Sequence, residues 1–133
     1  MKSEEIDQLI TYRLEQAEVS LEDARFLLNG NRSPQSIVNR SYYAMFYASL
    51  ALLQKISKIP SKHSGVISLF DTEYVLKGIF PKELSKDFHK AFEVRQTADY
   101  KVIDPVTTEK AKKILYKAER FVNAVKQFFS RTG

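Results

Sequence analysis

Ile37-Val38-Asn39-Arg40-Ser41-Tyr42-Tyr43-Ala44-Met45-Phe46-Tyr47-Ala48-Ser49-Leu50-Ala51-Leu52-Leu53 is the stretch that decides the fold. Apolar side chains recur on every side of a helical wheel here, with no alternation of period two, and a helix that is apolar nearly all round is a buried one. The longest apolar run, Tyr42 to Leu53, spans twelve residues broken only by Ser49. A bilayer-spanning helix needs about twenty. The segment is therefore expected to be the most buried helix of the protein. Ser33-Pro34 opens it, with Ser as the cap and Pro at the first helical position. Ile59-Pro60 ends it or marks the loop beyond.

The same three-or-four spacing continues on either side. Upstream, Ile6, Leu9/Ile10, Leu14, Ala17, Leu21, Ala24 and Leu28 form one stripe, opposed by Glu15, Glu18 and Glu22, and Asn29-Gly30-Asn31 stops it. Downstream, Ser61 or Ser64 caps a third helix bearing Val66, Leu69/Phe70 and Tyr74 and closed by Gly78. Pro81 opens a fourth helix. Thr107 or Thr108 caps the last, whose stripe is Ala111, Ile114/Leu115, Ala118, Phe121/Val122, Val125 and Phe128/Phe129. The expected fold is all-α: an up-and-down bundle of four to five helices in a single domain covering residues 1–133, with the short third helix across or at its end.

Composition supports this architecture and removes several chemistries. The chain has 133 residues, 44% hydrophobic and 28% charged, which suits one globular core rather than a disordered chain. Four Gly and four Pro are too few for a strand-and-turn architecture, and the absence of Cys excludes thiol nucleophiles, thiolate zinc sites and disulfides. Met1-Lys2-Ser3-Glu4-Glu5 runs directly into an acidic amphipathic segment, unlike a signal peptide. A cytoplasmic protein with no cofactor, no metal and no membrane association is expected.

The net charge of +5 is unevenly spread. Residues 1–30 hold seven acids against three bases, no carboxylate occurs from Ala24 to Phe70, and Lys101 onward has eight bases against three acids. Such polarity suits one face to an anionic partner, although an uneven solvated surface gives the same tally.

Two arginines stand out. In the fourth helix the inward stripe reads Leu84, Phe88, Ala91, Arg95, Ala98, so Arg95 points where core residues point. Arg40 poses the same question in the most apolar segment. A buried guanidinium requires a partner. With Tyr42, Tyr43, Tyr47 and Tyr100 nearby, the two arginines could line a pocket for a phosphate or a base. An Arg95–Asp99 ion pair, with tyrosine hydroxyls around Arg40, accounts for the same residues without a ligand.

Other templates fit poorly. His63 and His89 share no metal-ligand spacing, the glycines stand alone, and Ser41, Ser64 and Ser68 lack a strand-turn-helix setting. His89 falls on the polar side of its helix. His63, in Ser61-Lys62-His63-Ser64-Gly65, sits at a helix start, where a role in the capping loop is the simpler reading.

Four segments together carry a resemblance: Asn39-Arg40-Ser41-Tyr42-Tyr43-Ala44-Met45-Phe46-Tyr47-Ala48, Lys62-His63-Ser64-Gly65-Val66, Arg95-Gln96-Thr97-Ala98-Asp99-Tyr100 and Ala118-Glu119-Arg120-Phe121. They resemble the HEPN domain, and more closely its small stand-alone archaeal and bacterial members, the UPF0332-like group. The resemblance implies a dimerising helical bundle, often encoded beside a minimal nucleotidyltransferase as a toxin–antitoxin pair. It also implies metal-independent RNA cleavage by an Arg-x4-6-His motif that meets its counterpart across the dimer. Here the Arg carries over as Arg95, but Tyr100, Lys101 and Val102 occupy the positions where His would fall. A phenol with an ordinary pKa near 10 is a poor proton acceptor at neutral pH.

Three readings follow. In the first, a HEPN module binds nucleotide or RNA through Arg40, Tyr43, Tyr47, Arg95 and Asp99 and pairs with a nucleotidyltransferase. In the second, an endoribonuclease uses Arg95 on the scissile phosphate, with Tyr100 or His63 moving protons. In the third, the chain is a purely structural dimerisation bundle. A homodimer is expected from the resemblance and from the apolar excess of the second helix.

Overall fold

The computed structural model describes residues 2–97 and 105–132 in full, and residues 98–100 as backbone at the end of a helix. Five α-helices follow one another: α1 (Ser3–Asn29), α2 (Pro34–Lys55), α3 (His63–Phe70), α4 (Lys82–Tyr100) and α5 (Thr108–Thr132). No strand occurs among the described residues. The side chains of Asp99 and Tyr100, and Lys101 and Val102 altogether, lie outside the described residues.

The turn signals act mostly where expected. Pro34 is the first residue of α2, and Ser33 takes the cap position without a side-chain cap bond. Thr107 does cap α5: its Oγ1 accepts the Lys110 backbone N–H at 3.1 Å. After α1 the left-handed residue is Asn31 (φ 54°), while Gly30 stays at φ −86°. The third helix is shorter than its spacing predicts. It ends at Phe70 and passes into one wide π-helical turn, Asp71–Val75, before Gly78 turns the chain at φ 79°. Tyr74 explains the change: its hydroxyl donates to the Leu52 carbonyl at 2.6 Å, drawing this turn onto the end of α2.

The four long helices alternate in direction. Arg25 pairs with Glu119 at 2.9 Å and Glu18 with Lys126 at 2.8 Å, so α1 and α5 run antiparallel. On the far side Asp87 of α4 meets Arg120 of α5 at 2.9 Å, and α3 spans the crossover between α2 and α4. The long segment α2 lies at the centre, with Ile37, Val38, Tyr42, Ala44, Met45, Ala48, Ala51, Leu52 and Leu53 each at most 1% exposed. Each of the other helices closes one side of it. This corrects the apolar-excess argument for a dimer: α2 is covered inside one chain and requires no second copy.

Phe70, Phe88 and Phe121, from α3, α4 and α5, meet in the middle with centroids 5.0–5.9 Å apart. Contacts of this kind add to plain area burial, and they fix how α3 and α4 sit against the buried helix. That placement brings the candidate site together. Among the described residues no helix is long and apolar enough to cross a membrane.

Candidate functional site

The site forms where α2, the start of α3 and the middle of α4 converge. Tyr42 and Tyr43 are neighbours on α2 and so diverge by about a quarter turn. Tyr42 enters the core and packs between Phe88 (6.0 Å) and Phe92 (5.7 Å) of α4. Tyr43 stands half-buried at the rim. Arg95 reaches back from α4 to both rings, its guanidinium carbon 5.2 Å from each centroid. Its Nη2 donates to the Tyr43 hydroxyl at 3.4 Å, a long contact. Its Nε is buried without a hydrogen-bond partner among the described residues.

His63 completes the cluster. It is the first residue of α3, after Lys62 at the cap position, and no side-chain cap bond forms there. The ring instead turns inward. It stacks on Phe46 at 4.2 Å, and its Nδ1 lies 3.0 Å from the Tyr42 hydroxyl. The approach is fixed by the loop before α3, where a Cβ on Gly65 would lie 2.9 Å from Pro60. Only glycine lets Pro60 sit so close to the helix start. Lys58 in this loop and Lys77 beyond the π-helical turn both pair with Glu73.

The electrostatics are decided by burial and by one cation. Burial pushes the Tyr42 phenol well above its ordinary value, so it stays protonated. Burial first, and the Arg95 charge second, hold the His63 imidazole below its usual range. At neutral pH the cluster is thus a guanidinium, a protonated phenol and a neutral imidazole. Two tautomers fit the Tyr42 contact: with the phenol donating to Nδ1, Nε2 carries the ring proton and is a donor; with Nδ1–H donating to the phenol, Nε2 is free to accept a proton. In the first, donors outnumber acceptors, an arrangement suited to an oxyanion.

Arg40 belongs to the other edge of the same platform. Its guanidinium lies 5.0 Å from the Tyr43 centroid, so a single tyrosine ring carries Arg40 and Arg95 together. Arg40 also donates to the Asn39 Oδ1 from Nη2 at 3.0 Å. Tyr47 lies 5.8 Å from Tyr43 along α2. No carboxylate forms an ion pair with Arg40 or Arg95 among the described residues.

Of the residues picked out from sequence, Arg40, Tyr43, Tyr47, Arg95 and His63 thus come together. Spacing gave no reason to place His63 beside Arg95; the crossover of α3 does so, and the ring is an inward partner of Tyr42 rather than part of a capping loop. Phe46 was missed as a site residue, and Tyr42, though named beside the two arginines, was not recognised as the partner of His63. A tyrosine in the centre of a fully apolar helix was the available signal, since its buried hydroxyl needs a partner. His89 is exposed, as its helical position predicts, but pairs through Nε2 with Asp71 at 2.6 Å, the carboxylate that also accepts from Ser85 at 2.7 Å. That contact ties α4 to the π-helical turn, away from the cluster.

The antiparallel helical bundle, with Arg95 turned inward on α4 against the tyrosines of α2, agrees with the fold that the resemblance to the HEPN domain implies. The HEPN domain matches residues 10–128, and the chain belongs to that family. It is 40% identical to a UPF0332 protein of Thermotoga maritima over 123 residues, 92% of each chain. It is also 36% identical to the Methanocaldococcus jannaschii protein named "Putative toxin MJ0142" over 124 residues, covering 93% of this chain and 81% of that one. A second protein of that archaeon, named "Putative toxin MJ0605", is 37% identical over 124 residues, 93% of this chain and 88% of its own.

Proposed function

We propose that this chain is a HEPN module of toxin type that binds the phosphate of RNA or a nucleotide at the Arg95–His63–Tyr43 cluster. The observation that carries the reading is Arg95. Its guanidinium is held by two tyrosine rings, has a buried Nε without a partner and faces no carboxylate among the described residues. A phosphate would supply the missing acceptor, with the Nε2 edge of His63 as a second donor and Arg40 and Tyr47 extending the contact along a strand. The names of the two M. jannaschii relatives support a toxin role, and with it a neutralising partner such as a minimal nucleotidyltransferase. A homodimer fits the same reading; light scattering at tens of micromolar tests it, and a strict monomer would refute it.

The deciding experiment is a binding titration and a thermal melt on one sample of Arg95→Met, alone and combined with Asp99→Asn. Short single-stranded RNA and ATP serve as separate ligands, which distinguishes a polynucleotide from a nucleotide site. Normal folding with affinity lower by about one to two decades is expected, since a charge-assisted bond to phosphate is worth about 1.5–3 kcal/mol. Normal folding with unchanged binding would reduce Arg95 to a structural residue.

A second reading has its own observation. His63 is bonded to Tyr42 and lies within the field of Arg95, so an imidazole is present although none falls at the motif position. Endoribonuclease activity without a metal would then use Arg95 to hold the scissile phosphate and His63 to move the proton of the attacking or leaving oxygen. Arg95→Ala and His63→Gln should each abolish RNA cleavage, with Tyr100→Phe testing the motif tyrosine. Cleavage that survives these changes excludes the residues.

A further inference from the structure

We infer that the outer face of α1 is a docking surface for a basic amphipathic helix of another polypeptide. Three large apolar side chains stand exposed on that helix at seven-residue intervals: Tyr12 (52%), Val19 (54%) and Phe26 (77%). Seven residues are almost two helical turns, so the three line up in one stripe about 21 Å long. Single exposed apolar residues are ordinary, but a periodic row is the seam by which one helix accepts another. The inward stripe of α1 is separate, with Ile10, Ala17, Leu21 and Ala24 buried against the bundle.

Charge selects the occupant. Between the apolar positions α1 exposes Glu15, Glu22 and Asp23, with Asp7 a turn before the stripe. None of these four forms an ion pair among the described residues. Of the cations nearby, Arg25 is neutralised by Glu119 at 2.9 Å, while Arg13 and Arg40 bond only to the neutral amides of Gln16 at 2.8 Å and Asn39 at 3.0 Å, so the four acids outweigh the two remaining bases. Apolar and acidic positions in alternation ask for apolar and basic positions in return. Beside the stripe, Tyr12, Glu15, Val19, Arg40 and Tyr47 line a shallow groove of about 280 Å³ that can take the flanking side chains of such a helix.

The same charges argue against a second copy of this chain. Antiparallel pairing about Val19 would set Glu15 of each copy against Asp23 of the other, and parallel pairing would set every acid against itself. Either register repels. The acids of the stripe repel an RNA strand, while the groove beside it shares Arg40 and Tyr47 with the site proposed above; the inference rests on the α1 stripe and its acids and not on the function proposed there.

The test uses the intact chain and a fluorescein-labelled helical peptide of 21 residues with leucine at every seventh position and lysine or arginine flanking it. Two control peptides accompany it, one with scrambled order and one with the bases replaced by glutamate. Anisotropy should rise with the basic peptide alone, and the affinity should fall with added salt. Val19→Glu should weaken binding by about tenfold or more, as expected for a central contact. Glu15→Lys combined with Asp23→Lys should reverse the preference, so that the acidic peptide binds and the basic one does not. All these positions are exposed, and an unchanged melting temperature shows that each variant folds. No binding, equal binding of the scrambled peptide, or a preference untouched by the double charge reversal would overturn the inference. Self-association in sedimentation that Val19→Glu abolishes would also overturn it, by assigning the stripe to a second copy.

Discussion

Two charged positions on one helix, the buried Asp87 and the half-buried Arg95 of α4, are treated in opposite ways. Asp87 is only 6% exposed, yet it receives Arg120 at 2.9 Å and Lys117 at 3.9 Å from α5. Its charge is answered within the chain, and the group ties two helices together. Arg95, a little over two turns later on the α2-facing side, rests on tyrosine rings, with its Nε lacking an acceptor among the described residues. A charge whose partners come from the fold serves the fold. Arg95 has no carboxylate partner among the described residues, and an acceptor is what the proposed phosphate would supply.

Breaking the first of these positions should have the larger effect on stability. Arg120→Met leaves the Asp87 carboxylate in place with only the distant Lys117, and should destabilise the protein by about 2 kcal/mol, seen as a melting temperature lower by several degrees. RNA affinity of the folded fraction should not change. A melt indistinguishable from the parent would show that Asp87 is solvated well enough alone, and the contrast would lose its structural half.

Tyr42→Phe comes next. The ring packing against Phe88 and Phe92 survives, but the hydroxyl that meets His63 Nδ1 is lost. A cost of about 1 kcal/mol is expected in a urea titration, the usual net worth of one hydrogen bond. No loss would mean that water replaces the phenol and that the cluster is looser than its geometry suggests.

Arg95→Met sharpens the other side. Replacing a half-buried guanidinium that has no ion-pair partner among the described residues by an apolar chain of similar length should leave stability within about 0.5 kcal/mol of the parent or raise it. The His63 pKa, followed by NMR, should move up toward the ordinary value, because one of the two influences lowering it is the Arg95 charge. A strongly lowered melting temperature would reveal a structural partner for Arg95 and dissolve the contrast.

The smallest expected effect is a pH slope. His63 holds its proton less tightly in the folded protein than in the unfolded chain. Between its folded pKa and the ordinary 6.5 the unfolded state therefore binds more protons, and stability falls as the pH drops through that window and levels off below it. Denaturation at a series of pH values on parent and His63→Gln should show this component of the slope in the parent only. Identical slopes would place the ring in water.

The bundle was legible because helix periodicity is a local property. The Ile37–Leu53 run, Pro34 at a helix start, the Thr107 cap and the inward phase of Leu84, Phe88 and Ala91 each depend on neighbours within a turn or two. Arg95 was legible for the same reason, as a charge in phase with an apolar stripe. Where a local rule failed, a distant contact had overridden it. Spacing ran the third helix through Tyr74, but the bond from that tyrosine to the Leu52 carbonyl pulls the segment into a wide turn.

By itself, then, the sequence determined the helices, their buried faces, the burial of α2, the uneven charge and the family motif around Arg95. Only the tertiary structure decided what meets Arg95. His63 lies 32 positions before it and Tyr42 a further 21, distances over which no periodicity carries information. Their meeting depends on the crossover between α2 and α4, on Pro60 seated against Gly65 and on the aromatic packing that sets the depth of α3. Pairings across a chain follow from how helices pack, and packing is settled by the sum of many side-chain volumes rather than by any one stretch of residues.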